Sequence, residues 1–460
     1  MPNAKIYVNH HAAEKYPLFE SDTVIPILAG NPGRDGYRIA LRDTVGGICI
    51  TDSEQQDIYS EFTALYYVWK NRAPSDPDSI VGFMHYRSFL DLHHGISNRY
   101  PSLESRFGYD ETTLRNSFSR GINCASFDGI PLTGACGVDA IVSEPLDFNK
   151  GIYKQYDNCH PMAATLFKAA RSLIDEEQYP NARDFFDEHF SMGKYAGKNG
   201  RGYFKCLLIS SWRYFDAYCT FLFHILDNLY ADSAIRKEMQ KYKMIKGPDR
   251  SGIQKKTRFR LLAFFAERMT SFFIAYSMKS HRFRIGTAPR CHYESMSQLV
   301  KEVYPAFPNE KLYPMVRVYS IQEQDHMPVS DLSELDKIQK QGYFCEGPLG
   351  YIYKQQVPGS TPVYRVLFKN GEHSCTKDLH SVFNYKKYEI LGYTRDCPDP
   401  SKFETLHLED YSLSGQAGRS VTTINPKEFP VIGYNPDKPY ADKMADLGYT
   451  VDIWGREDYN

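Results

Sequence analysis

The sequence predicts an α/β fold, one Rossmann-like sheet with helices packed on it, followed by a β-rich α+β repeat region. Three observations carry that expectation. From Asp57 to Leu90 the chain reads DIYSEFTALYYVWKNRAPSDPDSIVGFMHYRSFL. Ile58, Phe62, Leu65, Val68 and Trp69 recur at helical spacing there, and after the Asn71 and Pro74 break comes a short apolar run, Ser79 to Met84. Two earlier runs, Lys5 to Val8 and Val24 to Leu28, have the same short apolar character and end in polar or glycine-containing segments. Beyond residue 310, apolar and tyrosine-rich runs return with a period of roughly 45 residues, the mark of stacked units that share a core.

In chain order, Lys5 to Val8 reads as a first strand running into Asn9-His10-His11, and Val24 to Leu28 as a second strand turning at Ala29-Gly30-Asn31-Pro32-Gly33. Arg34 to Gln56 and Asp91 to Cys136 show no clear period. Gly137 to Val142 reads as another buried strand and Met162 to Glu176 as a helix, continued by Ala182 to Phe190 after the Tyr179-Pro180 break. Phe204 to Ser210 is strand-like, and Trp212 to Tyr230 and Phe259 to Tyr276 are long helices with broad apolar stripes. Ala288 to Phe307 reads as the linker between a first domain, residues 1–300, and a repeat domain, residues 310–460. In the repeat domain Val316-Arg317-Val318-Tyr319 is echoed by Val363-Tyr364-Arg365-Val366, with His326 and His373 following, and a weaker third copy runs from Leu406 to Trp454.

Length and composition bound the answer. A chain of 460 residues exceeds one ordinary core, so about two or three domains are expected. With 42% hydrophobic and 24% charged residues it belongs with folded globular proteins. A net charge of -1 removes any global electrostatic reason to bind nucleic acid. No apolar run approaches the roughly 20 residues that span a bilayer. The ten cysteines are scattered without a CxxC pair, and the chain opens MPNAKIYV without a charged and apolar leader, so reduced thiols in a cytoplasm are expected. Thirty-five tyrosines against three tryptophans supply amphipathic rings suited to stacking on flat apolar faces such as sugars, as well as to ordinary packing.

Candidate functional residues cluster at strand ends. His85-Tyr86-Arg87 closes the Ser79–Met84 strand, and ligands of open α/β sheets sit outside the carboxyl ends of strands. Arg87 there suits a phosphate or carboxylate, because the planar guanidinium donates two parallel hydrogen bonds. His10 and Gly30 occupy the ends of the two preceding strands, where glycine permits close approach of a ligand or simply makes the turn. Glu267 interrupts an apolar helical stripe. It reads either as a general acid or base with a raised pKa or as the structural partner of Arg268. The run from Arg236 to Arg260 is basic and reads as a solvated face or an anion site. Neither GxGxxG nor GxxxxGK[ST] occurs, and Asp76-Pro77-Asp78 precedes its strand rather than following it.

The helix E-F-T-A-L-Y-Y-V-W-K-N, the strand after it and His85-Tyr86-Arg87 together resemble the signature of a bacterial family of capsular-polysaccharide and O-antigen glycosyltransferases. The similarity takes in Lys5 to Val8, His10, Val24 to Gly30, Gln155-Tyr156 with His160, and Arg260 to Arg268, covering roughly residues 3 to 290. Departures fall at Ser88 and Phe89, where the family has a second arginine and tyrosine, at Gly47-Ile48-Cys49 and at Lys205. The resemblance implies a GT-A-like nucleotide-sugar transferase domain that moves a hexosyl group from a nucleotide diphosphate to a surface polysaccharide or related glycan. It places His10, Gly30, His85, Tyr86, Arg87 and Arg260 at the donor, and Glu267 and His85 at the chemistry. No residue is assigned to a metal, and a divalent cation is not expected to be required. The implied partners are the nucleotide sugar and a glycan or lipid-linked glycan acceptor, with a cytoplasmic location and peripheral association with the inner membrane face left open. The repeats resemble tandem modules appended to carbohydrate-active enzymes, where glycan binding or a structural role would fit. The alternative for the whole chain is a non-catalytic glycan-binding or scaffold protein.

Overall fold

The computed structural model describes residues 4–10, 21–29, 48–50, 59–93, 103–121, 124–126, 132, 137–160, 162–204, 206–241, 260–304, 306, 311–320, 325–371, 373–395, 404–408, 431–435 and 451–453. The part of the chain up to residue 292 supplies strands β1 Ala4–His10, β2 Val24–Ala29, β3 Ile48–Ile50, β4 Ile80–His85, β5 Ser88–Leu90, β6 Ala140–Ser143, β7 Leu146–Phe148, β8 Gly200–Gly202, β9 Leu208–Ser211, β10 Ile285–Ala288 and β11 Arg290–His292. Helices α1 Phe62–Asn71, α2 Leu103–Phe107, α3 Glu111–Arg120, α4 Gly151–Cys159, α5 Ala163–Leu173 and α6 Ala182–Phe190 are followed by α7 Trp212–Ala231, α8 Ser233–Lys241, α9 Arg260–Lys279 and α10 Met296–Val303.

The main sheet runs β10-β6-β9-β4-β1-β2-β3, with β5 and β11 added as a ribbon beside β4. Strands β1 to β4, β6 and β10 are parallel, and β9 alone in that path is antiparallel to its neighbours. The expected α/β sheet is therefore present and mixed. Alternation in β1 sends Tyr7 into one core, with Phe62, Leu65 and Val68 of α1, and Ile6 and Val8 into the other. The first core continues under α5, α6, α7 and α9.

Several elements escaped the sequence reading. Ile48–Ile50 pairs in parallel with β2 inside the stretch expected to be irregular. The Asp91–Cys136 region holds α3, a mostly polar helix marked by its caps. Asp110 Oδ1 accepts from Thr113 N at 2.9 Å, and at the other end Gly121 takes a left-handed backbone (φ 63°) where a Cβ would meet Leu132 O. Only Leu114 and Ser117 of α3 are buried, too few to set up a period. The stretch read as a linker carries β11 and α10, whose Met296, Leu299, Val300 and Val303 are buried.

The second sheet is built from β12 Leu312–Ser320, β13 Asp325–Val329, β14 Tyr343–Tyr353, β15 Ser360–Phe368, β16 His373–Thr376, β17 Tyr385–Arg395, β18 Glu404–Leu408, β19 Val431–Asn435 and β20 Val451–Ile453, with α11 Leu335–Lys340 before β14. It runs β16-β15-β17-β14-β19-β18-β20, with β12 and β13 attached through β14. The chain twice makes a long strand, a short antiparallel partner, a helical turn and another long strand. Arg365 joins the two series, donating to Pro328 O at 3.0 Å and Glu334 Oε2 at 3.1 Å. Asp325 does the same from the other side, accepting from Tyr343 Oη and the His373 backbone, each at 2.7 Å. Val316, Val318, Met327, Leu335 and Ile338 share the second core with α10 and the outer face of the main sheet.

A buried ion network ties that joint together. Arg106 of α2 pairs with Asp91 after β5 at 3.0 Å and with Glu302 of α10 at 2.6 Å. Asp91 and Arg106 are both buried. Arg106→Met should therefore destabilise the fold by about 3–5 kcal/mol, because Asp91 loses its counter-ion in the interior. Chemical denaturation of the variant measures this, and a loss under about 1 kcal/mol, the worth of an exposed pair, would contradict it.

Candidate functional site

The order β3-β2-β1-β4 means the chain builds outward from β1 on one side and then returns to add β4 on the other. Where direction reverses, the loops leaving the two neighbouring strands part and open a crevice at their carboxyl ends. β1 ends in Asn9-His10 and β4 in His85, and Asn9 and His85 are register partners. Tyr86 N donates to Asn9 O at 3.1 Å, continuing the pairing past the end of β4.

After His85 the chain does not enter an open loop. Tyr86 and Arg87 form a two-residue turn, and Ser88 pairs back on His85 to start β5. The hairpin fixes the three expected site residues at its tip. The rings of His85 and Tyr86 lie 4.0 Å apart, the His10 ring is 6.1 Å from Tyr86, and the Arg87 guanidinium is 5.7 Å from the same phenol. Arg87 Nε is buried without a hydrogen-bond partner among the described residues. Such a donor costs stability unless a ligand or water fills its place. Asn9 Nδ2 donates to the carbonyl of Glu61 at 2.9 Å, which fixes the amino end of α1 against β1.

A second cluster gathers on α4 and α9. Arg268 is buried between the rings of Tyr156 and Phe204, at 5.0 and 4.9 Å, and donates to Gln155 Oε1 at 2.7 Å and to Glu267 Oε2 at 2.9 Å. Burial lowers its pKa and the adjacent Glu267 carboxylate opposes that. Glu267 is thus the counter-ion of a desolvated guanidinium. His160 stacks on Phe264 at 4.9 Å, and its pKa is lowered to about 4 by burial and then by Arg268. Cys206 lies between the two clusters. Its thiol pKa is raised well above the ordinary value by burial and then by the carboxylates of Glu61 and Glu267. A small cavity beside it is lined by Leu65, Ser143, Tyr203, Leu208, Tyr218 and Thr270.

His10, His85, Tyr86 and Arg87 are therefore brought together, and Glu267 belongs to the neighbouring cluster with Gln155, Tyr156 and His160. Gly30 and most of the basic run, residues 242–259, lie outside the described residues, as does the Arg260 side chain, although Arg260 begins α9. Asp76 Oδ1 accepts from Asp78 N at 2.9 Å in the turn before β4, at the opposite edge of the sheet from His85. Among the described residues no three His, Cys, Asp or Glu side chains converge as a metal site, and no helix is long and apolar enough to cross a membrane. Sequence reasoning missed Asn9 and Cys206, and it noted Ser88 only as a departure. Asn9 carried one available signal, its place beside His10 at the end of β1.

An α/β domain with polar residues gathered at a topological switch point defines the class. The family follows from residues 5–278, which match the model described as a domain of unknown function (DUF4422), and the chain belongs to that family. Residues 290–394 match a second, also described as a domain of unknown function (DUF5648). Among solved structures the chain is similar to one described as the apo form of the bifunctional glycosyltransferase WbbM, with 20% identity and a TM-score of 0.43. That match covers 64% of this chain and 46% of the other, so this chain spans less than half of that protein's structure. No curated protein matches.

The buried imidazoles give the fold a pH dependence. His160, at about 4, and His189, lowered by burial to about 3, are neutral in the folded chain and near 6.5 when unfolded. The unfolded chain binds the extra protons, so stability is full above about pH 6.5 and falls as pH drops towards 4. Denaturation series between pH 7 and 5 should show that slope, reduced in His160→Gln. A slope identical in the variant would contradict the assignment of His160.

Proposed function

We propose that the chain is a glycosyltransferase that takes a sugar from a nucleotide diphosphate held at the β1–β4 switch point and transfers it to a glycan acceptor. The observation that carries the reading is Arg87, a guanidinium at the tip of the β4–β5 hairpin whose buried Nε lacks a partner among the described residues. A diphosphate supplies the acceptors that donor needs, and negative charge on the leaving group grows in the transition state, where a fixed guanidinium counts most. The buried Tyr86 ring packs beside it, with the His85 and His10 rings against that phenol, and Gly30 and Arg260 are expected at the rim. Asp76-Pro77-Asp78, at the far edge of β4, is not a clamp for a metal at this crevice, and the reading is of a metal-independent enzyme. Glu267 holds Arg268 beside the crevice rather than acting on the sugar.

The acceptor is a surface polysaccharide or related glycan, of the capsule or O-antigen kind that the motif resemblance implies, and the expected place of work is the cytoplasm. For the second sheet we propose contact with glycan. Tyr388 and Ile390 are exposed on β17, and the Tyr364 and Tyr385 rings lie 5.8 and 5.7 Å from Tyr388, giving a ring surface on which a pyranose can stack.

The test is transfer and donor binding with a panel of nucleotide diphosphate sugars, in the presence and absence of chelator. Arg87→Ala should keep the wild-type melting temperature and lose roughly ten- to a hundredfold in donor affinity or turnover, the worth of a charge-assisted hydrogen bond. Chelator should leave wild-type turnover largely intact. Full affinity and turnover in a well-folded Arg87→Ala variant would overturn the site, and complete reversible loss with chelator would overturn metal independence.

A further inference from the structure

Exposed apolar side chains are few on this chain, and they are not scattered. Among the described residues four large hydrophobic side chains are exposed, Leu146, Phe383, Tyr388 and Ile390, and all but Leu146 lie together in the second sheet. Phe383, with 77% of its surface open to solvent, stands just ahead of β17 at the end of that sheet. Asn384 beside it takes a left-handed backbone (φ 65°), and its carbonyl accepts from Lys369 N at 3.2 Å, which ties this segment to the turn between β15 and β16. Leu367 pairs with Lys387 and Phe368 with Tyr385, so Lys386 is the extra residue of a bulge. The bulge returns Tyr385 to the face of Tyr388, and their rings lie 5.7 Å apart. A strip of apolar and phenolic side chains thus runs from Ile390 through Tyr388 and Tyr385, with Phe383 beyond its end.

The same end of the sheet is basic. Lys369, Lys386 and Lys387 are exposed, and none of them makes an ion pair among the described residues. From Lys369 to Lys387 the sequence holds four lysines against Glu372 and Asp378. The Asp378 carboxylate accepts from His380 N at 2.8 Å, and the next one along, Glu389, is held by Arg365.

We propose that this end of the second sheet docks on a bilayer surface that carries anionic lipid headgroups. Phe383 enters the headgroup boundary and loses its contact with water, which a fully exposed ring gains most from. The phenols of Tyr385 and Tyr388 sit at headgroup level, where a ring with one polar edge has both its surroundings satisfied. Lys369, Lys386 and Lys387 face the negative surface. The tyrosine rings alone would suit a pyranose equally well. Phe383 and the lysines decide for the bilayer, because phenylalanine offers no polar edge to a hydroxyl, and an ammonium is a point charge that attracts a charged surface without fixing the geometry of a ligand. Membrane docking does not depend on sugar transfer, and either can fail without the other.

Co-sedimentation of the full chain with vesicles of phosphatidylcholine alone, and of phosphatidylcholine mixed with phosphatidylglycerol, tests this. The wild type should bind the mixed vesicles in preference to the neutral ones. It should leave them as salt rises from about 0.1 M to about 1 M, which shortens the screening length from about 10 Å to about 3 Å. Lys386→Gln combined with Lys387→Gln should weaken binding roughly thirtyfold, at about fivefold for each lysine near an anionic surface. Phe383→Ser should weaken it about tenfold or more through the lost apolar contact. All three side chains are exposed, so both variants should keep the wild-type melting temperature. Equal binding to the two kinds of vesicle, binding to neither, or unchanged affinity in a folded Phe383→Ser or double-lysine variant would overturn the docking. Retention by a soluble acidic polysaccharide in place of vesicles, weakened by the same substitutions, would overturn it in favour of a glycan.

Discussion

The pairing of β1 with β4 is the constraint on which the rest of the molecule depends. Residue by residue it runs from Ala4 opposite Ile80 to Asn9 opposite His85, and at its middle Ile6 faces Gly82. A Cβ at position 82 would lie 2.5 Å from Ile6 Cδ1, so glycine is what lets the isoleucine fill the space between the strands. A slip of one residue would exchange the faces of β4, burying His85 among the aliphatics and turning Met84 toward α1. The register therefore sets core packing and site geometry at once. Everything at the crevice, from the Asn9 contact to α1 to the hairpin tip at Tyr86 and Arg87, is counted from it.

Around that centre the interior is more polar than a simple two-sided sheet requires. Arg106 with Asp91 and Glu302 anchors α10, and Arg268 with Glu267 and Gln155 fixes α9 against α4. Each is a buried guanidinium whose desolvation is offset only when every acceptor is in place. Such networks add little net stability, but they penalise any arrangement that leaves one member alone. That fits their positions: one holds α10 after β11, and in the other Arg268 packs on Phe204, which lines the cavity beside Cys206.

Much of this was legible in the residues. The α1 helix and β4 followed from strong periodicity bounded by Asn71 and Pro74, and β1, β2, β6, α7 and α9 from equally plain apolar runs. The position of His10 near His85 followed from both lying at strand ends. What could not be read came from tertiary placement. The turn at Tyr86-Arg87 has none of the Gly, Asn or Asp that announce a hairpin, so the strand end looked open. β11 is only three residues long, and its meaning lies in the strand it pairs with, which no local pattern reveals. α3 is defined by its Asp110 and Gly121 caps instead of a stripe. The partner of Glu267 could be guessed from its neighbour Arg268, but the burial of that guanidinium between Tyr156 and Phe204 could not.

The central claim is that the ligand crevice lies at the carboxyl ends of β1 and β4. Hydrogen–deuterium exchange on the full chain, with and without saturating nucleotide diphosphate sugar, tests it without relying on any substitution. The account predicts that added protection concentrates in peptides covering Asn9 and His10 and in the His85–Ser88 hairpin. Protection confined to the second sheet, residues 312–395, with none at β1 or the hairpin, would contradict it.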